Sequence, residues 1–330
     1  MADVNHIVST CCEQHNICLD IGTTNSRAWL VCGNKVVASA REEIGVKVSA
    51  SEGSNNRLFA SLRKMLSDIS TWGGGAHQPQ CVAATGMITS SLGLKEIPHV
   101  PAPAGLREIA SSSKWHNFPS ISNLPFLLVP GVSTVYSNNS TIDVMRGEET
   151  LCLGLIASGA LDLPGVVLNV GSHWKAIELD SSRRVFSSVT SLSGELIDAA
   201  RKNTVLAGSL PREFPELLSW NWVERGMAES RQTGLPRALF RTRLLDLNKE
   251  GSPEERLAFL VGAFIATDLD ALLARGMFNE RQVTINGHRT IAECWRQALG
   301  QETIPASVLT AEDTERGFLR GLQQIVDAAK

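Results

Sequence analysis

Apolar runs of strand length, each cut by a glycine turn, alternate along this chain with stripes of apolar residues at helical spacing. Residues 17–21 and 27–32 read as two strands, and Gly33-Asn34 turns the chain into a third over "KVVASA", so it opens as an antiparallel meander. In "NNRLFASLRKMLSDIS" the residues Leu58, Leu62, Met65 and Ile69 fall on one helical face. "WGGGAHQPQ" ends that helix ahead of the apolar strand "CVAAT", which completes a β-β-β-α-β unit.

The pattern then recurs. Residues 165–180 are again a buried strand, a glycine turn with a hydroxyl residue and a second strand; "RRVFSSVT" follows as a third, and "SGELIDAARKNTV" as a helix. Setting Asp20-Ile21-Gly22-Thr23 over Asn169-Val170-Gly171-Ser172 aligns strand with strand and turn with turn, which an internal duplication explains most simply. Helical patterns over 213–229, 237–248, 254–275, 289–299 and 311–328 fill the remainder, with one strand over 281–287 whose terminal Asn286-Gly287 opens the next helix.

A length of 330 residues changes this picture by predicting two domains, each with its own apolar interior, and a cleft between them as the expected ligand site. The formal net charge of -3, without a basic stripe, argues against nucleic acid and anionic membranes as partners. Seven cysteines are an odd number and four lie in apolar runs, which favours reduced core thiols; Cys11, Cys12 and His15 lack a second pair to complete a metal site. The first sixteen residues hold no apolar stretch of signal-peptide length, and the longest apolar run, 257–266, is about half a bilayer-spanning helix. A cytoplasmic protein is the expectation.

The turns carry the candidate chemistry. Backbone N–H groups of Gly22, Thr23 and Thr24, with hydroxyls alongside, form a nest for phosphate oxygens, and glycine lets the backbone approach closely. A carboxylate just before such a nest repels phosphate unless a cation intervenes, so Asp20 makes sense facing Mg²⁺, directly or through water. Gly171 and Ser172 repeat the arrangement, and two such turns across a cleft would grip a nucleotide's phosphates from both sides. For one copy alone, an ordinary hairpin with a solvated Asp explains the sequence as well. A GxxxxGK[ST] loop and a GxGxxG turn after a strand are both missing.

"LDIGTTNSRAWL" resembles the first phosphate motif of the sugar kinase, actin and heat-shock chaperone superfamily. More narrowly, "DIGTTNSRAW", "ATGMITSSLG", "VMRGEETLCLG", "GSHWK" and "SGEL" resemble, in order and spacing, the 2-dehydro-3-deoxygalactonokinases from about residue 17 to the C-terminus. The resemblance implies an α/β, two-domain actin-like ATPase (ribonuclease H-like) fold with duplicated β-β-β-α-β-α cores around an interdomain cleft. It divides the chain into domains 1–145 and 146–330, with the last helix, about 311–328, packing back on the first. The implied activity is ATP- and Mg²⁺-dependent phosphorylation of the C6 hydroxyl of 2-dehydro-3-deoxy-D-galactonate. A kinase of another sugar acid or polyol, or a non-catalytic nucleotide-binding regulator, are the alternatives, and a homodimer is left open.

By motif match, Gly22, Thr23, Thr24, Gly171 and Ser172 would cradle phosphate, and Gly287 would lie against the adenosine. Glu148 is the candidate base with Glu149 in reserve; two glutamates in a helix's first turn are equally read as complementing its dipole. Arg146 and Arg27 are candidates for the substrate carboxylate, although Arg27 fits an ordinary strand position as well. Asn25, Ser90 and Ser91 are candidates for sugar hydroxyls, and His173 and Lys175, flanking Trp174, are expected on one face of a strand. The chain departs from the family's Pro-Gly-Thr-His-Ser-Lys-Trp with Val170-Gly171-Ser172-His173-Trp174-Lys175-Ala176. It also has Thr89 for a glycine and Leu94 for a tryptophan in a loop expected to touch the sugar.

Overall fold

The computed structural model describes residues 15–33, 35–71, 78–136 and 141–330; Cys11, Cys12, Asn34 and most of "WGGGAHQPQ" lie outside them. The elements run β1 (His15–Ile21), β2 (Ser26–Cys32), β3 (Lys35–Glu42), α1 (Val46–Glu52), α2 (Asn56–Ser70), β4 (Pro79–Gly86), β5 (Val100–Pro101), α3 (Leu106–Ser112), β6 (Lys114–Phe118), β7 (Ser122–Leu128), β8 (Val132–Tyr136), β9 (Thr141–Met145) and α4 (Glu148–Ala157). They continue β10 (Gly165–Val170), β11 (Trp174–Leu179), β12 (Val185–Ser191), α5 (Ser193–Asn203), α6 (Trp220–Thr233), α7 (Leu235–Leu247), α8 (Pro253–Ala274), β13 (Gln282–Gly287), α9 (Arg289–Gln301), β14 (Ala306–Val308) and α10 (Ala311–Ala328).

The chain forms two compact units. The first comprises residues up to His99, Glu108–Gly131 and Leu322–Lys330; the second comprises Val100–Arg107 and Val132–Gly321. In the first, one sheet has the order β3-β2-β1-β4-β7-β6, with β1 antiparallel to β2 and parallel to β4. Ile17, Leu19 and Ile21 point from β1 into a core that the apolar stripe of α2, Leu58, Leu62, Met65 and Ile69, covers as its spacing requires.

In the second unit the order is β12-β11-β10-β13-β14, again with an antiparallel meander followed by parallel pairing of β10 with β13. A three-stranded sheet, β5-β8-β9, precedes it. Its hairpin is tied to β12 through Asp143, which accepts from Ser188 at 2.7 Å and Thr190 at 2.9 Å.

The helix expected at 213–229 begins instead at Trp220, behind the N-cap residue Ser219. Residues 213–219 are irregular; Pro215 disfavours helix at Phe214 and cannot donate in a helix interior. The apolar run 257–266 belongs to a longer helix, α8, whose Ser252 and Glu255 form a capping box around Pro253. Its length and composition would suffice to cross a membrane, yet 67% of its apolar window is buried inside the protein. Gly226 of α6 and Gly262 of α8 allow this burial, because a Cβ on either would lie within about 2 Å of a carbonyl oxygen of the other helix.

Candidate active site

The end of β1 is built around a tight turn. Gly22 donates its N–H to the Asn25 carbonyl at 2.8 Å, and the carbonyls of Gly22 and Thr23 accept from the first amides of α1, Val46 at 3.2 Å and Lys47 at 2.9 Å. Gly45, which opens α1, is required by close approach: a Cβ there would lie 2.5 Å from the carbonyl oxygens of Gly22 and Thr23. Asp20 is partly exposed and lies directly across from Arg27 on β2 and Thr85 on β4. Cross-strand partners share a face, so Arg27 faces the same side as Asp20, with Arg41 next in the row.

The second unit repeats the construction in outline. Glu195, in the first turn of α5, donates its N–H to the Ser172 carbonyl at 2.7 Å, and a Cβ on Gly194 would lie 2.1 Å from the Gly171 oxygen. The equivalent row reads Asn286, Asn169, Lys175 and Thr190. An amide thus replaces the carboxylate, and Asn169 accepts from Asn286 at 2.8 Å, which in turn accepts from Thr314 at 2.7 Å. Gly287 adopts φ 125°, and a Cβ there would meet the Val170 oxygen at 2.6 Å; Gly86, with φ 83°, has the same relation to Ile21.

Glu148 and Glu149 open α4 behind Gly147, which takes φ 105°. They have separate fates. Glu149 is fully buried, accepting from the Gly147 N–H with both oxygens, at 2.9 and 2.8 Å, and from the Thr150 hydroxyl at 3.2 Å. Burial, then the neighbouring Glu148 charge, pushes its carboxyl up to about 7. Glu148 keeps 22% of its side chain exposed, accepts from the Arg146 N–H at 3.2 Å and lies 3.8 Å from the Lys175 ammonium.

The remaining candidates scatter by role. Lys175 is buried and donates to the Val144 carbonyl at 2.5 Å, whereas His173 precedes the strand, lies exposed in the turn and reaches Glu195 at 3.3 Å. The two are not side by side on a strand, as the alternation suggested. Ser90 donates to Met87 at 2.7 Å within its own turn, Ser91 is exposed beside it, and Asn25 donates to Thr24 at 3.0 Å. Thr89 is completely buried, donating to the Gly86 carbonyl at 3.0 Å, and Leu94 packs on the first unit's core. Gly45, Gly194 and Asp143 are contributors the sequence reading passed over; a glycine opening the helix after each meander was the signal available for the first two.

A doubled meander whose glycine-hydroxyl turns rest on helix N-termini defines an actin-like ATPase-type phosphotransferase fold. The comparisons narrow it. The 2-keto-3-deoxy-galactonokinase family model matches residues 20–325, and the chain belongs to that family: it is a sugar-acid kinase, a phosphotransferase with an alcohol acceptor that uses ATP. It is 27% identical over 320 residues to the 2-dehydro-3-deoxygalactonokinase of Escherichia coli (strain K12), covering 94% of this chain and 97% of the relative. A crystal structure of a protein from Sinorhizobium meliloti, provisionally assigned as such a kinase, aligns with TM-score 0.77 at 22% identity over 95% and 96% of the two chains. The Clostridium difficile activator of 2-hydroxyisocaproyl-CoA dehydratase, with bound ADPNP, aligns with TM-score 0.51 at 12% identity over 96% of each chain, which supports the fold alone.

Proposed function

We propose that the chain transfers the γ-phosphoryl group of ATP to the C6 hydroxyl of 2-dehydro-3-deoxy-D-galactonate, with Glu148 as the base. The observation that carries this reading is the division of labour in the "GEE" turn. Glu149 is consumed in holding Gly147, which leaves Glu148 as the carboxylate with exposed surface at the helix start. Phosphoryl transfer depends mainly on positioning and charge stabilisation, and a carboxylate within reach of the acceptor hydroxyl orients it and takes its proton. Lys175 is then a positioning group for Glu148 rather than a substrate contact, because its buried ammonium sits between that carboxylate and the Val144 carbonyl.

Thr23 and Thr24 hold phosphate oxygens in one unit, with Gly22, whose own N–H is spent on the Asn25 carbonyl, shaping the turn, and Gly171 and Ser172 do so in the other; the Gly22 and Thr23 carbonyls are engaged by α1 and the Ser172 carbonyl by α5. Gly287, which no side chain could replace at φ 125°, suits close approach of the adenosine. Asp20, partly exposed at the end of β1 just before the Gly22 turn, suits Mg²⁺, which typically takes one or two carboxylates, with waters and phosphate oxygens completing its shell. Mg²⁺ supplies neutralisation of the charge that develops on the transferring group.

Arg146, beside Glu148, is the cation for the substrate carboxylate, with Arg27, Asn25, Ser91 and His173 as further contacts. Thr89 and Leu94 serve local packing, the first fully buried and the second against the first unit's core. We also place the protein in the cytoplasm, independent of nucleic acid and membrane, where ATP is supplied. The test is a coupled assay with Mg-ATP against 2-dehydro-3-deoxygalactonate, its gluconate epimer and simple hexoses. Selective turnover of the galactonate compound is expected; turnover of another acceptor in its place overturns the substrate, and acceptor-independent hydrolysis alone overturns the base assignment.

A further inference from the structure

Strand β10 carries an amide where the matching strand β1 carries a carboxylate. Asn169 stands two residues ahead of Gly171, as Asp20 stands two ahead of Gly22. A carboxylate in that place needs a cation before phosphate oxygens can come near, whereas a primary amide offers them an N–H without one.

The hydrogen bonds around Asn169 decide which end of its amide is on offer. Oδ1 is spent inside the protein: it accepts from Asn286 Nδ2 at 2.8 Å, and Asn286 Oδ1 accepts in turn from the Thr314 hydroxyl at 2.7 Å. Three elements, β10, β13 and α10, thus hold one side chain. Its other cross-strand neighbour is Lys175, whose ammonium donates to the Val144 carbonyl and faces Glu148. Asn169 Nδ2 is left without an acceptor among the described residues. It keeps accessible surface, because the residue is half-buried and this atom is not among the sealed, unpaired ones.

That donor borders the glycine turn. A Cβ built on Gly171 would lie 3.9 Å from Asn169 Nδ2; beyond the glycine's chain neighbours, the only other described atom that near is the His173 carbonyl oxygen at 4.0 Å. The space over Gly171 is therefore open, with an amide donor at its edge. In the first unit the carboxylate leans elsewhere: Asp20 Oδ1 lies 3.2 Å from the Cβ position of Gly86, and the near atom over Gly22 is the Asn25 oxygen at 3.5 Å.

We propose that Asn169 Nδ2 donates to a phosphate oxygen of ATP at the Gly171–Ser172 turn, and that Asn286, backed by Thr314, is the positioning residue that keeps Nδ2 rather than Oδ1 turned toward it. This rests on the reading of that turn as a phosphate site. Asn286→Asp should reverse the amide, because a carboxylate only accepts: Asn169 must then donate to it and present Oδ1 to the phosphate.

The test compares, by calorimetry on the full chain with Mg²⁺, the affinities for the non-hydrolysable imido analogue of ATP and for adenosine, which lacks phosphate. Asn169→Ala and the isosteric Asn169→Asp should each weaken the analogue about tenfold or more, the usual worth of a hydrogen bond to a charged group, and leave adenosine unchanged. Asn286→Asp should do the same in the parent and add little in the Asn169→Ala background, since it acts through the amide. Unchanged affinity for the analogue in Asn169→Ala overturns the proposal, and so does equal weakening of analogue and adenosine, which marks a structural role. A full further loss from Asn286→Asp in the Asn169→Ala background overturns the positioning role of Asn286. Gly194→Ala separates the two readings: if it weakens the analogue where Asn169→Ala does not, only the Asn169 contact fails, and if neither does, the phosphate assignment of the turn fails with it.

Discussion

Replacing Glu149 by glutamine isolates one proton that this protein holds in its interior. Burial and the adjacent Glu148 raise the carboxyl from its ordinary 4.5 to about 7. At about 1.4 kcal/mol for each pH unit, that rise amounts to about 3 kcal/mol. The folded chain binds this proton more tightly than the unfolded chain, so the contribution is fully present below pH 4.5 and is lost as pH rises through 7. Most of that loss, about 2 to 3 kcal/mol, falls between pH 5 and 8.

Glutamine has no proton to lose, and its amide nitrogen faces the Gly147 N–H, donor against donor, so its absolute stability falls as well. Only the pH dependence is diagnostic. Urea unfolding followed by tryptophan fluorescence at pH 5 and 8, with the transitions of the two units fitted separately, reads it. The parent protein should lose about 2 to 3 kcal/mol more than Glu149→Gln over that interval. Parallel profiles would refute the argument that burial raises the proton affinity of Glu149.

Other expectations concern turnover. Glu148→Gln should lower kcat by about a hundredfold or more while leaving the KM for ATP nearly unchanged, in steady-state kinetics; near-normal kcat would remove Glu148 from the base role. Gly194→Ala and Gly45→Ala place a methyl 2.1 and 2.5 Å from a turn oxygen, so each should shift its turn and cost about tenfold or more in kcat/KM for ATP. If only one of them does, the two turns are not functionally equivalent. Asp20→Asn should raise the Mg²⁺ concentration needed for half-maximal rate, and an unchanged metal titration would contradict the assignment.

Strands and helices were legible where burial on one side imposes a period: the α2 stripe and the strand of alternating partners around Asp20 fall where their spacing places them. The duplication was legible for the same reason, since both copies must bury the same strand and turn. What failed was tertiary. Gly45 and Gly194 look like ordinary helix starts until the turns they touch, about 20 residues upstream, are folded against them. Thr89 and Leu94 read as pocket residues because they interrupt a family pattern, yet Thr89 is fully buried and Leu94, half-buried, packs on the core. His173 and Lys175 were paired by an alternation that needs both on a strand, and β11 starts between them. Consecutive glutamates cannot be told apart in sequence; about 100° of helix rotation gave one to the interior and left the other with exposed surface.

The contact between α4 and α10 reaches into genetics. A Cβ on Gly154 would fall 1.7 Å from the Gly317 oxygen, and one on Gly321 would fall 1.9 Å from the Thr150 oxygen, so the helix that bears both glutamates lies backbone to backbone on the chain's last helix. A premature stop codon anywhere in the final dozen or so codons before this contact would spare every residue named above as touching ATP or sugar. It would still take away the surface on which the helix bearing Glu148 rests, so alleles of this gene truncated late should be as silent in growth on the substrate as those broken at its beginning.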